Sequence, residues 1–269
     1  MSDAGAMQAL CADLRAEQDE LAALLADLEE RCWDTPTPAA GWNVRDQIGH
    51  LAHGEELAAL AATDPDGFQA ELARLMGDLD GRIGAVLARA RASDGPLLLA
   101  WWLGARERTL AALAGQDERE RIAWAGPAMS ARSFAAARLM ETFAHGQDIR
   151  DALGAPPVPS PRLRHVAELG VRTRAFAYLL RELDAPATPL RVELDAPDGG
   201  TWVWGEDDAP DRVSGPALDF CLVVTRRRHP ADTRLDAHGP HAAEWLAIAQ
   251  CYLGPPDEGR PAGSFPTPP

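Results

Sequence analysis

Glu141-Thr142-Phe143-Ala144-His145-Gly146-Gln147-Asp148 is the stretch from which the fold is read. A carboxylate and an imidazole four residues apart on a helix lie one turn above each other, about 5–6 Å apart at Cβ. Both side chains can then reach a single metal ion. The surroundings predict a helix: Ser130 suits an N-cap, Ser133 to Leu153 is rich in Ala, Leu and Met, and Gly154 suits a C-terminal cap. Its few charges and small side chains predict a buried helix. By itself a Glu–His pair of this spacing is more often a solvated face. His50, far upstream, is a third candidate ligand and strengthens the metal reading.

The totals narrow the classes. The 269 residues allow one large domain or two modest ones, and 46% hydrophobic content is that of a folded protein. Lys and Arg total 26 against 41 Asp and Glu, a formal charge of −15. Such a chain, with no basic cluster of phosphate-binding size, lacks the term that supplies most nucleic-acid affinity, and anionic membrane surfaces are disfavoured for the same reason. Cys11, Cys32, Cys221 and Cys251 are widely spread and form no CxxC pair. The start, Met1-Ser2-Asp3-Ala4-Gly5, shows no signal sequence, and no apolar run approaches a membrane span. The expectation is a cytoplasmic protein with reduced thiols.

In chain order, Met7, Leu10, Leu14, Leu21, Leu25, Leu28 and Cys32 mark an amphipathic helix over residues 7–32, broken by the prolines and glycine of 33–41. Asn43 caps a second helix with Asp46 in its first turn. Ile48, Leu51 and Leu57 form its apolar stripe; His50 lies beside that stripe, and Glu55 and Glu56 are expected on the charged side. His53 reads as a surface residue or a support to the ligands. A helix follows over Phe68 to Ala92, another from Ser93-Asp94-Gly95-Pro96 to Gly115, and then the helix with Glu141 and His145. Short connections between these helices predict an antiparallel bundle.

Ala155 to Pro161 holds four prolines and reads as a stiff linker. Beyond it the pattern changes to α+β: a helix over Leu163 to Leu183, a hairpin of Leu190–Leu194 and Thr201–Trp204 around Asp198-Gly199-Gly200, a helix over Gly215 to Thr225, a short strand over Thr233–Asp236, and a closing helix over His241–Leu253. His50, Glu141 and His145 make a two-histidine, one-carboxylate set from two facing helices. Three protein ligands with a vacant position are typical of catalytic zinc, and the same ligands suit non-haem Fe(II).

Gly41-Trp42-Asn43-Val44-Arg45-Asp46 with His50-Leu51, and Glu141 to Asp148, resemble the two signature segments of the mycothiol-dependent maleylpyruvate isomerase family, within the DinB-like metal-binding bundles. The resemblance implies a DinB-like bundle over residues 1–154, the linker 155–161, a sterol-carrier-like α+β domain over 162–255, and a disordered tail over 256–269. It implies His50, Glu141 and His145 as ligands of a divalent metal, Zn2+ first, with Ni2+ or Fe2+ accommodated. Asp148 matches the aspartate that follows in the family, as a helix-end or supporting residue. Mycothiol is implied as thiol cofactor, with a small-molecule substrate and neither nucleic acid nor membrane as partner. Val213 to Arg226 resembles a stretch of the isomerase ending in Gly-Arg; here Thr225 replaces the glycine, and Arg226, Arg227 and Arg228 follow. Arg226 is the expected catalytic residue, clamping a substrate carboxylate, in a cleft between the domains to which Trp202 or Trp204 adds an apolar wall; the alternative is that both tryptophans pack the sheet and the arginines face water.

The implied chemistry is thiol addition to an electron-poor alkene, then rotation and elimination (isomerisation) or retention of the adduct (S-transfer). The alternatives are a metal-dependent hydrolase that activates water and a non-catalytic small-molecule binder.

Overall fold

The structure, a computed structural model, describes residues 3–265. It divides into two compact units, Met1–Pro156 and Pro157–Pro269. Among the described residues no helix is long and apolar enough to cross a membrane.

The first unit is helical. Four long helices, α1 (Asp3–Leu25), α2 (Val44–Thr63), α5 (Gly95–Ala114) and α6 (Ala131–Leu153), form a ring in which α2 and α1 each pack on both α5 and α6. Two shorter helices, α3 (Pro65–Gly77) and α4 (Leu79–Ala92), pack on α2. The sequence predicts one helix where these two stand. Asp78 divides them: it closes α3, and its carboxylate then accepts from Gly81 N as the N-cap of α4. The first helix ends at Leu25, not at residue 32, and Glu30–Asp34 is a separate 3-10 turn. A two-residue hairpin, β1 (Arg121–Ile122) with β2 (Met129–Ser130), precedes α6 and has no counterpart in the sequence reading.

The caps are as the sequence predicts. Asn43 and Asp46 form a reciprocal capping box at α2. Ser130 accepts from Ser133 N at α6, and Gly154, at φ 68°, ends α6 in the left-handed conformation. The parts of α2 and α6 that carry His50, Glu141 and His145 are therefore held by fixed helix starts. One core cluster joins Leu21, Leu25, Ile48, Leu51, Leu98, Trp102 and Ile149 beside these helices.

The second unit is α+β. The predicted helix over 163–183 is two pieces, α7 (Leu163–Arg172) and α8 (Arg174–Leu179). A four-stranded sheet follows in the order β4-β3-β5-β6, from β3 (Leu190–Asp195), β4 (Thr201–Trp204), β5 (Asp211–Pro216) and β6 (Asp236–His238). The predicted hairpin is β3 with β4, closed by a turn with Gly199 at φ 85°. β5 runs parallel to β3 and antiparallel to β6. The sequence reading starts a helix at Gly215; the strand continues to Pro216, and α9 (Ala217–Val224) begins after it. The last strand starts three residues later than predicted and ends two later, and α10 (Pro240–Ile248) is shorter. Part of the segment expected to be a disordered tail is bonded: Gly263 N and Phe265 N donate to Asp232 at 2.7 and 3.3 Å. Residues 266–269 lie outside the described residues.

Two glycines of the first unit test how tightly α2 packs. A Cβ on Gly49 would lie 2.5 Å from the Cβ of Ala90 on α4, whereas one on Gly84 of α4 meets nothing within 4 Å. Gly49→Ala is expected to destabilise by about 1–3 kcal/mol through overpacking. Gly84→Ala should stabilise by about 0.4–1 kcal/mol through the unfolded chain. Denaturant midpoints of the two variants check both signs.

Candidate metal centre

α2 and α6 face each other in successive layers. In the first, Gln47 Oε1 of α2 lies 2.5 Å from His145 Nδ1 of α6. In the second, His50 Nε2 lies 3.8 Å from Glu141 Oε2, and His145 Nε2 reaches the same oxygen at 3.3 Å. In the third, the Arg138 guanidinium of α6 lies against Gly54 of α2. The spacing of one helical turn on each chain generates this register, since residues three or four apart share a face.

The middle layer gathers the three residues singled out by sequence. One donor atom each from His50, Glu141 and His145 can be chosen so that all lie within 4.8 Å of one another. The donor set fits a divalent metal. An amide oxygen only accepts, so Gln47 Oε1 holds the proton on His145 Nδ1 and leaves Nε2, which faces Glu141 Oε2 at 3.3 Å, as the ring nitrogen that would bind a metal, the arrangement that the partners of metal-bound histidines provide. Gln47 is itself held, because its Nε2 donates to Thr37 Oγ1 at 3.0 Å, and Thr37 Oγ1 donates to the Trp42 carbonyl at 2.9 Å. The Trp42 ring stacks on His145, centroids 6.1 Å apart at 19°, and leans on His50 at 5.4 Å.

Burial pushes the Glu141 carboxyl up, but hydrogen bonds with His145 and His50 and the charges of His145 and Arg138 outweigh it. The carboxyl is held well below the usual carboxylate range and is ready as an anionic ligand. The His50 side chain is 42% exposed, against 13% for His145, so solvent reaches the site from the His50 side.

The structure corrects one placement of charge. Glu55, expected on the solvated side of α2, is fully buried. Its Oε1 accepts from Arg138 Nε at 3.3 Å, Arg138 Nη2 at 3.2 Å and Gln18 Nε2 at 3.2 Å. His53 stands apart from the ligands, with Nδ1 3.9 Å from Glu56. Asp148 is fully buried on α6. Sequence reasoning missed Gln47, Trp42 and Arg138. Gln47, three residues before His50, and Arg138, three before Glu141, sit on the ligand faces of their helices, so the helical period that found the ligands could have found them.

Arg226 belongs to the second unit. It follows α9 with φ 62°, is 6% exposed, and donates through Nη1 to the Ala247 carbonyl at 2.8 Å. Its Nε is buried with no partner among the described residues. Burial and the nearby Arg181 charge lower its pKa. The alternative of arginines facing water is corrected: Arg226, Arg227 and Arg228 are all buried, at 6, 8 and 9% exposure. Trp202 is buried at 6% exposure and Trp204 half-buried.

Residues 14–150 match the family described as mycothiol maleylpyruvate isomerase N-terminal domain. Residues 186–238 match a second family, described as wyosine base formation. Two uncharacterised proteins of Mycobacterium tuberculosis, from strains CDC 1551/Oshkosh and ATCC 25618/H37Rv, are each 45% identical over 249 residues, covering 93% of this chain and 97% of theirs. Among solved structures, the mycothiol-dependent maleylpyruvate isomerase aligns with TM-score 0.57 at 15% identity, over 88% of this chain and 95% of that one. A mutant of the same enzyme aligns with TM-score 0.55 at 15% identity, over 82% and 90%. The shared fold is a helical N-terminal region followed by an α+β part.

The Gln47–His145 contact yields a direct test. Gln47→Leu is expected to weaken zinc binding by about 10–100-fold, the usual cost of losing such a support. A competition titration against a chromophoric chelator measures it. Unchanged affinity would mean that His145 Nδ1 needs no anchor and would count against His145 as a ligand.

Proposed function

The chain belongs to the mycothiol maleylpyruvate isomerase N-terminal domain family, and from that premise we propose that it is a metal-dependent, thiol-using enzyme acting on an electron-poor small molecule. His50, Glu141 and His145 are the proposed ligands, zinc the proposed metal and mycothiol the proposed thiol. The observation that carries the proposal is the convergence of these three side chains within 4.8 Å, with His145 Nδ1 already engaged by Gln47.

A divalent ion held there supplies one thing: it lowers the pKa of a thiol that binds to it, so that the thiol is presented as a thiolate. The chain's own residues do the rest. Glu141 contributes the negative charge of the ligand set, and its carboxyl is held ionised by the residues around it. Trp42 walls one side with an apolar face that orients His145 and limits water. The exposed side of His50 leaves an approach for thiol and substrate. A thiolate carbon–sulfur bond formed at an activated C=C turns the double bond into a single bond; rotation and expulsion of the thiolate give the isomer, and retention of the adduct gives S-transfer.

Arg226 is the proposed anion-binding residue of the second unit. Its support is a buried guanidinium fixed by the Ala247 carbonyl, with Nε unpartnered. A cytoplasmic location is part of the same reading; Cys11, Cys32, Cys221 and Cys251 are all free thiols.

Purified protein is expected to carry one divalent ion per chain by elemental analysis. His50→Ala and His145→Ala should each lose most of it with helix content unchanged by circular dichroism, since an open three-ligand site does not hold a bundle of this size together. Isomerisation of an unsaturated acid such as maleylpyruvate should require both the ion and mycothiol. Turnover without any thiol would transfer the reading to metal-activated water. Unfolding on chelation would make the ion structural. Arg226→Ala should weaken carboxylate binding with metal content unchanged.

A further inference from the structure

We propose that Arg138 is a carboxylate-binding residue of the metal pocket itself, so that the first unit alone presents both the metal ligands and a cation for the substrate's acid group. The proposal rests on the metal reading of His50, Glu141 and His145. What it adds is the residue of the first unit that would meet the acid group of such a substrate.

Placement is the first observation. Arg138 lies three residues before Glu141 on α6, a rise of about 4.5 Å along the helix. Its guanidinium occupies the space that a side chain on Gly54 would fill, with Nη2 and Nη1 3.0 and 3.4 Å from the position of a Cβ there. Gly54 is four residues after His50, on the same face of α2. The cation thus lies in the layer adjoining the proposed ligands on both helices.

The second observation is what the guanidinium does with its donors. Arg138 is 5% exposed. Nε and Nη2 both donate to one oxygen, Glu55 Oε1. No hydrogen bond of Nη1 is found among the described residues, and the side chain as a whole is 7% exposed. A guanidinium has five N–H donors in a planar fork and binds carboxylates through two of them at once. Glu55 uses one edge; the edge at Nη1 remains.

The third observation is that the pair is poorly built for stability. Glu55 Oε2 and Gln18 Oε1 are buried with no partner among the described residues. A buried ion pair with unsatisfied oxygens is weak evidence of a stabilising role, because desolvation offsets the attraction. Glu55 instead fixes the guanidinium in place, as Ala247 fixes Arg226 in the second unit.

The test separates a clamp from a strut. Maleate is titrated into zinc-loaded protein by calorimetry, with its uncharged diamide as control. Glu55→Gln keeps Arg138 and removes the competing carboxylate, so maleate should bind at least as tightly as to the parent. Glu55→Gln/Arg138→Met removes both charges without stranding either one, and should bind maleate about tenfold or more weakly, the loss of a charge-assisted hydrogen-bonded pair. Zinc content should be unchanged in both. Arg138→Lys, which keeps the charge and can still meet Glu55, should fall between and serves if the double variant fails to fold. Equal maleate affinity in Glu55→Gln and the double variant would overturn the proposal, as would binding of the diamide as well as maleate, or no maleate binding by the parent. Loss of zinc together with maleate would overturn it too, since Arg138 would then be supporting the ligands. A parent protein that takes up no zinc, by contrast, sinks the metal reading, and maleate titration of the metal-free chain still reports on Arg138.

Discussion

The site depends on how closely α2 can approach its neighbours, and glycines set that distance on either side of His50. Gly49 meets Ala90 of α4, where any side chain would bring carbon atoms within 2.5 Å. Gly54 makes room for the Arg138 guanidinium of α6. Glycine in a helix interior costs roughly 1 kcal/mol relative to alanine. At both positions that cost is offset by contact: apolar packing against α4 in one case, and room for a buried cation in the other. With α2 seated this deeply, the register against α6 follows, and Gln47 meets His145 where His50 meets Glu141.

That register orders the polar groups by function along the bundle. The Gln47 layer is anchored to the loop before α2 through Thr37 and the Trp42 carbonyl. The ligand layer is open to solvent at His50. The Arg138 layer is tied to α1 by Gln18 and to α2 by Glu55, while Thr109 of α5 donates to the Glu55 carbonyl. All four long helices therefore meet around Glu55. Polar groups this deep in a bundle cost desolvation, and their partial satisfaction here gives little of it back. An apolar layer would hold the bundle as well or better. What it could not do is set a fixed charge one turn from Glu141.

Much of this was legible in the sequence, and the legible parts share a cause. Caps at Asn43, Ser130 and Gly154 depend on local chemistry, and a sequence displays local chemistry directly. The Glu141–His145 pairing follows from helical period alone. The position of His50 opposite them came through the family resemblance as much as through its stripe. What failed is what depends on partners distant in sequence. Glu55 looks like a solvent-facing acid until Arg138, 83 residues away, is placed against it. Asp78 looks like one more polar residue in a long helix, although its carboxylate starts a new one. In the second unit, Asp211 to Pro216 gives little alternation to read, and only pairing with β3 on one side and β6 on the other makes it a strand. Arg226 in a left-handed conformation, where the resembling family has its glycine one residue earlier, is likewise a product of how α9 ends.

The charge of the whole molecule sharpens the meaning of these buried arginines. At −15 the chain repels a small anion at long range, which slows encounter and disfavours loose surface binding. That field is screened beyond about 8 Å at physiological ionic strength, whereas an interaction inside a partly desolvated pocket is screened far less. An anionic substrate in such a protein needs its counter-charge placed where solvent and salt do not reach. Arg138 and Arg226 are both buried, at 5% and 6% exposure, each fixed through some donors and with another donor for which no partner is found among the described residues. An exposed lysine could not substitute, since its flexible stem and hydrated ammonium would be lost among the acidic surface groups. Buried, pre-oriented guanidinium is the form of positive charge that an acidic protein can still use to select an anion.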